Sequence, residues 1–128
     1  MVRLLAIAAF LALVLTSSSL FGRDAAQLSS EQIIALARLD VQEGVPEDFE
    51  NLGPVQGVSC SRPGYFASVA TVEEATQNMK ISTVREKPSA NAVVAATCNF
   101  QNKVDWGRNC TSTIVCVGVA AKIDYSKQ

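Results

Sequence analysis

The chain has 128 residues, 48% of them hydrophobic, and its 11 basic and 12 acidic side chains give a net charge of −1 at pH 7. It contains no histidine, which excludes imidazole general-base catalysis, the usual Ser/His and Cys/His triads and the commonest zinc ligand. The chain also lacks the strong positive charge of a nucleic-acid-binding protein, so we expect no nucleic-acid partner.

The N-terminus has the pattern of an export signal. A short basic start precedes residues 4–15, which are uninterrupted apolar residues. That run matches the core of a signal peptide and is too short to span a bilayer, which takes about 20 residues. We predict that residues 1–22 are a signal peptide, with cleavage between positions 18 and 22. The three residues before Ser18 match a bacterial lipobox, but Ser18 stands where the lipidated cysteine would be, so we predict no lipidation.

The exported part is predicted to have an acidic lead-in over residues 23–37 and one folded domain over residues 38–128. In the lead-in, Ser29 is followed three residues later by Gln32, which is the spacing of a helix capping box. The competing interpretation is a strand over residues 37–42, where apolar and polar side chains alternate. We favour a short helical or irregular lead-in that passes into this strand.

An acidic, solvated loop over residues 43–50 is predicted next, because the segment contains a glycine and a proline. Residues 52–60 then have the pattern of a strand, with Gly57 as a candidate β-bulge. The turn signal at residues 63–64 precedes two aromatic residues, which we expect to cover the core beneath this loop: Tyr65 and Phe66.

A helix is predicted to begin after Thr71, which forms a capping-box pattern with Glu74, and to end before Pro88. Its predicted core face carries Val72, Ala75 and Met79. The adjacent carboxylates at positions 73 and 74 point in different directions on a helix, so they suit the helix dipole better than acid–base catalysis.

Two continuous apolar runs, residues 92–98 and 113–123, are rich in β-branched and small side chains. Such runs are typical of central strands covered on both faces. Residues 99–112 form a predicted polar loop between them. Because Cys98 ends the first run and Cys116 lies within the second, a bridge between neighbouring strands is geometrically plausible.

An exported chain with an even set of cysteines favours disulfides, here two. The four are Cys60, Cys98, Cys110 and Cys116. None of their spacings is C-x-x-C, so we predict neither a metal site nor a redox pair. Four cysteines permit three pairings, and spacing alone does not choose among them.

Three stretches of the chain carry a resemblance to a known family. They are residues 52–60 (LGPVQGVSC), the ANAV segment that leads to Cys98, and Cys110 followed by IVCVGVA. Together they resemble the periplasmic domain of the RcsF family, outer-membrane lipoproteins that sense envelope stress for a phosphorelay. The likeness covers about residues 45–123, and the order of the four cysteines is its most specific element.

The resemblance implies bridges from the first to the third and from the second to the fourth cysteine, that is, Cys60 with Cys110 and Cys98 with Cys116. It also implies the fold class: a small two-layer α/β (α+β) domain, with a short mixed sheet, one main packed helix and two disulfides.

The same resemblance implies a non-enzymatic periplasmic domain that senses or transmits envelope stress to a phosphorelay through protein–protein contacts. Its expected partners are the outer-membrane assembly machinery and an inner-membrane regulator of the relay. We expect no catalytic residue, cofactor or small-molecule substrate. The protein is expected to be exported to the periplasm, and association with the outer membrane stays open.

Parts of the same stretches are also similar to the YbjQ family of small cytosolic oligomers. The alternative function is therefore a disulfide-stabilised structural or binding module of the envelope, with YbjQ/RcsF-like architecture and no role in signalling. A third class, an enzyme or redox protein that uses its cysteines, would require free thiols in the native protein.

Intact-mass measurement of the natively expressed protein tests the export and disulfide predictions together. We expect a chain cleaved between positions 18 and 22 that takes up alkyl groups on all four cysteines only after reduction. A mature mass that includes a diacylglycerol would contradict the predicted absence of lipid at Ser18.

Overall fold

The computed structural model describes residues 27–64, 68–102, 104, 107 and 109–127. The predicted signal peptide and Ser18 lie outside the described residues, as do Tyr65 and Phe66. Within the described part, no helix is long and apolar enough to cross a membrane. The elements in chain order are α1 (Ser30–Arg38), β1 (Asp40–Val41), β2 (Glu50–Ser61), α2 (Val72–Glu86), β3 (Ala92–Gln101), β4 (Ser112–Lys122) and a terminal 3₁₀ turn (Tyr125–Lys127).

The four strands form one mixed sheet in the order β1-β3-β4-β2. β1 is parallel to β3, and β4 is antiparallel to both β3 and β2. Helix α2 packs on one face of the sheet, mainly over β2 and β4. The predicted fold class is therefore confirmed: a small two-layer α+β domain with a mixed sheet, one main helix and two disulfides.

Helix α1 begins at the predicted capping box. The Ser29 hydroxyl accepts a hydrogen bond from the Gln32 amide, and the Gln32 side chain accepts one from the Ser29 amide. The helix continues to Arg38, so the favoured strand over residues 37–42 is wrong in its first half, and β1 has only two residues. Residues 37 and 38 are helical rather than extended because Leu36 is buried in the core that α1 shares with α2. Part of the predicted lead-in is thus packed against the domain.

Strand β2 covers the predicted residues 52–60 and pairs with β4 along its whole length. The predicted bulge at Gly57 is wrong, because Gly57 lies opposite Cys116 in unbroken register. The register shift falls between Asn51 and Gly53, whose φ of +108° favours glycine. Gly57 is instead a point where the helix backbone closely approaches the sheet, another reason for glycine inside a strand.

Helix α2 begins after Thr71, whose hydroxyl accepts a hydrogen bond from the Glu74 amide at 3.1 Å. It ends at Glu86, ahead of the predicted stop at Pro88. Its buried residues include the predicted Ala75 and Met79. The predicted core position Val72 is wrong: this side chain is 48% exposed, because it is the first helical residue and the buried face begins one turn later.

Both apolar runs form the central strands of the sheet, as predicted. They are covered on both faces at one end only. There, a second small cluster lies on the face opposite α2: Ala92, Val94, Ala121 and Ile123, with Phe49 packed against it. From Thr97 onward every residue of β3 is exposed, because the cluster ends before this part of the strand. β3 also extends to Gln101, so the predicted loop over residues 99–112 begins later than expected.

Substituting Gly57 by alanine should destabilise the domain more than the same change at Gly44. A Cβ atom at Gly57 would overlap the backbone of α2 and lie 2.7 Å from the Cα of Met79, whereas nothing lies within 4 Å of one at Gly44. We expect Gly57→Ala to cost about 3 kcal/mol or more of unfolding free energy, and Gly44→Ala to change it by less than about 1 kcal/mol. Urea denaturation checks this, and equal midpoints for the two variants would contradict the close packing.

Candidate functional site

Two disulfides cross-link one end of the domain. Cys60 near the end of β2 is bonded to Cys110 just before β4, with a Cα–Cα distance of 5.5 Å. Cys98 on β3 is bonded to Cys116, which lies directly opposite on β4, with a Cα–Cα distance of 4.0 Å. This is the pairing that the RcsF resemblance implies. All four cysteines lie in the described part, and none of them is free.

The Cys98–Cys116 bridge lies below the first half of α2. The Thr76 hydroxyl is 3.6 Å from the sulfur of Cys116 and 4.0 Å from that of Cys98. Cys116 is fully buried, whereas Cys98 is exposed at the outer side of the sheet. Since α2 covers β2 and β4 more than β3, the helix shields only one half of this bridge.

Hydrogen bonds reinforce the end of β2 beside the other bridge. The Ser61 hydroxyl accepts from the Ala70 amide at 2.8 Å, and the Ser61 carbonyl accepts from the Thr111 amide at 2.8 Å. The buried Ser59 hydroxyl accepts from the Thr71 amide at 3.0 Å. These bonds, with the Cys60–Cys110 disulfide, attach the start of α2 and the start of β4 to the same strand end.

All four sulfurs are in disulfides, so the folded chain presents no thiolate. Among the residues described, no group of three or more cysteine or acidic side chains could hold a metal ion. Burial, and then the nearby Asp40 carboxylate, raises the pKa of Tyr125, whose phenol donates to Asp40 at 3.4 Å. This contact attaches the C-terminal turn to β1.

Beyond the Phe49 cluster, the strand side chains that the structure describes on the face opposite α2 are uncharged. We call this surface the neutral face. By strand register it comprises Pro54, Gln56, Val58 and Cys60 on β2, Thr113, Val115 and Val117 on β4, and Thr97, Asn99 and Gln101 on β3. If roughly 25–35% of surface residues are charged, about three of these ten positions would be expected to carry a charge, and none does.

The neutral face has the layout of a protein-binding surface. A row of valines runs along its centre on β4, and Val117 in this row is 37% exposed. Amide and hydroxyl side chains lie on both sides, from Gln56 on β2 to Asn99 and Gln101 on β3. An apolar centre without charges and a polar rim are typical of protein–protein interfaces.

The two edges of the sheet differ. On β2, Pro54 has no N–H group, the Val58 carbonyl accepts a hydrogen bond from the Asn78 side chain at 2.8 Å, and Arg62 exchanges backbone bonds with Ser68. These are the usual protections of an edge strand. On β3, the described main chain bonds to the first half of the outer side, as far as the Ala96 amide, which donates to the Gln42 carbonyl at 3.0 Å.

The exposed second half of β3, residues 97–101, is named the β3 edge. It contains neither charge nor proline, and its Phe100 side chain is 64% exposed. Sequence analysis missed this strand segment because it placed Asn99 in a polar loop. The signal was the alternation of polar and apolar side chains from Thr97 to Gln101, which continues the strand period of two.

In comparisons with known proteins, no family model matches the chain and no curated protein matches it. Fold and surface together define a class: a disulfide-cross-linked α+β domain with one helix-covered sheet face, one neutral face and one strand edge that no described segment covers.

Removing each bridge by a double alanine substitution should destabilise the domain, and the bridge that closes the longer loop should cost more. The Cys60–Cys110 bridge spans 50 residues and the Cys98–Cys116 bridge 18, which corresponds to about 4 and about 3 kcal/mol if chain entropy dominates. We expect both variants to unfold at lower urea concentration, the first more than the second. Wild-type midpoints in either variant would contradict a structural role for that bridge.

Proposed function

We propose that this chain is an exported, non-enzymatic domain of the RcsF type, which senses or transmits envelope stress to a phosphorelay through protein–protein contacts. The neutral face is the observation that carries the protein-binding part of the proposal. Charges are present on α2 and in the loops, so their absence from ten positions of one open sheet face favours a surface that is desolvated when a partner binds.

The size of the neutral face favours a transient contact. Three strands about 4.8 Å apart and roughly seven residues long cover a flat area of roughly 300 Å², and side chains enlarge it. This is in the range of the largest functional patch on a monomer, roughly 300–600 Å², and below the roughly 800 Å² per partner of a stable complex. A reversible contact suits signal transmission better than permanent assembly.

The two bridges suit an oxidising compartment, and together with the N-terminal export pattern they support a periplasmic location. By resemblance, the partners are the outer-membrane assembly machinery and the inner-membrane regulator of the relay. The same bridges also suit the alternative, an envelope module of YbjQ/RcsF-like architecture whose disulfides only confer durability.

Placing a charge in the centre of the neutral face should abolish partner binding without unfolding the domain. We expect Val117→Lys to lower recovery of both envelope partners by about tenfold or more, because a desolvated charge without a counter-charge is costly at an interface. Induction of an envelope-stress reporter should be lost with it. Binding is measured by in vivo cross-linking and pull-down, and folding by the urea midpoint.

The matched control is Val69→Lys, the same change at a side chain that is 78% exposed and lies outside the neutral face. It should keep both binding and reporter induction. The proposal fails if deletion of the gene leaves the reporter unchanged and pull-down recovers neither partner. An unchanged reporter combined with weakened envelope integrity would favour the structural module.

A further inference from the structure

We infer that the β3 edge pairs with the β3 edge of a second copy of this chain. Two antiparallel β3 strands, related by a two-fold axis at Asn99, would join two four-stranded sheets into one continuous sheet. The surface is distinct from the centre of the neutral face.

The β3 edge has unpaired main-chain groups that point outward. Since the Val58 carbonyl points to the free edge of β2, the neighbouring Gly57 bonds inward to Cys116, its partner in register. The amide and carbonyl of Cys116 therefore point to β2. Cys98 lies opposite Cys116 on β3, so its amide and carbonyl point away from β4. The same alternation turns the amide and carbonyl of Phe100 outward. No described backbone group bonds to either residue from that side.

The position beside these groups is a continuation of the sheet. β1 occupies it next to Ala92 and Val93, where it runs parallel to β3. The chain then leaves the sheet through Gln42 and Gly44, whose carbonyls accept bonds from Ala96 and Ala95. Beyond this point, no described main-chain group bonds to the outer side of β3.

The order of side chains on the β3 edge favours a second copy over an unrelated strand. The side chains of the β3 edge alternate between polar and apolar, and the order of polar and apolar is the same in both chain directions: Thr97, Cys98, Asn99, Phe100 and Gln101. With the axis at Asn99, threonine meets glutamine, the disulfide sulfur meets the phenyl ring, and the two asparagine amides meet each other. Amides both donate and accept, and sulfur–aromatic contacts are favourable. Without charges, no repulsion opposes the pairing.

The contrast between the two edges supports the same conclusion. Proteins protect exposed edges against pairing with proline, charge or a covering segment, and β2 has such protection at Pro54, Val58 and Arg62. Within the described residues, the β3 edge has no proline, charge or covering segment, and it includes an exposed phenylalanine; the irregularity in β3 lies ahead of it, between Val94 and Thr97. Pairing would give main-chain bonds to Cys98 and Phe100 and cover that ring, in a small isologous interface.

The association is tested by sedimentation equilibrium of the purified exported chain with both disulfides formed. A small interface predicts a dimer that dissociates on dilution over roughly 10 µM to 1 mM. Asn99→Lys, which places two like charges opposite each other at the axis, should weaken dimerisation by about tenfold or more. Gln56→Lys is the matched control, an exposed glutamine on the other edge strand, and should leave it unchanged.

Hydrogen exchange at the two ends of the same concentration range identifies the surface. The amides of Cys98 and Phe100 should exchange about tenfold more slowly in the concentrated sample, whereas the outward amide of Gln56 should not change. A monomer throughout the range overturns the inference. A dimer that resists Asn99→Lys and leaves both β3 amides unprotected also overturns it, because the copies then associate through another surface.

Discussion

Close backbone contact between α2 and β2 at Gly57 determines how the two layers fit together. Because no side chain separates Gly57 from the helix at Ala75 and Met79, α2 lies low over β2 and β4. The helix therefore leaves the second half of β3 uncovered, including Cys98 and Phe100. The exposed surfaces of the domain follow from this off-centre position, because the helix layer is too narrow to cover every strand.

Covalent cross-links compensate for the narrow helix layer at the end where the core is thin. Cys116 is fully buried below α2, and through its bond to Cys98 it anchors the exposed second half of β3. Cys110 does the same for the chain ahead of β4. For a domain of this size, each bridge is comparable with a large share of the total stability, which is typically about 5–15 kcal/mol. The open surfaces can thus be presented without being disordered.

Local signals predicted the parts of the structure that depend on local chemistry. The caps at Ser29 and Thr71, the stop before Pro88 and the two apolar central strands follow from nearby residues, and the disulfide pairing followed only from a family resemblance. The errors concern tertiary placement. Alternation with a period of two predicts which side chains share a face of the sheet. It does not predict whether another layer covers that face, so it did not predict the exposure of Phe100. The same limit explains the wrong prediction of a bulge at Gly57, because a bulge and a close helix contact both favour glycine.

The position of α1 defines two opposite ends of the domain. Glu31 and Arg38 both lie beside Ala90 and Asn91, so the helix runs along the start of β3, at the far end from the disulfides. A chain held from its N-terminal side would therefore carry its cross-linked end and its unprotected strand outward, away from the point of attachment.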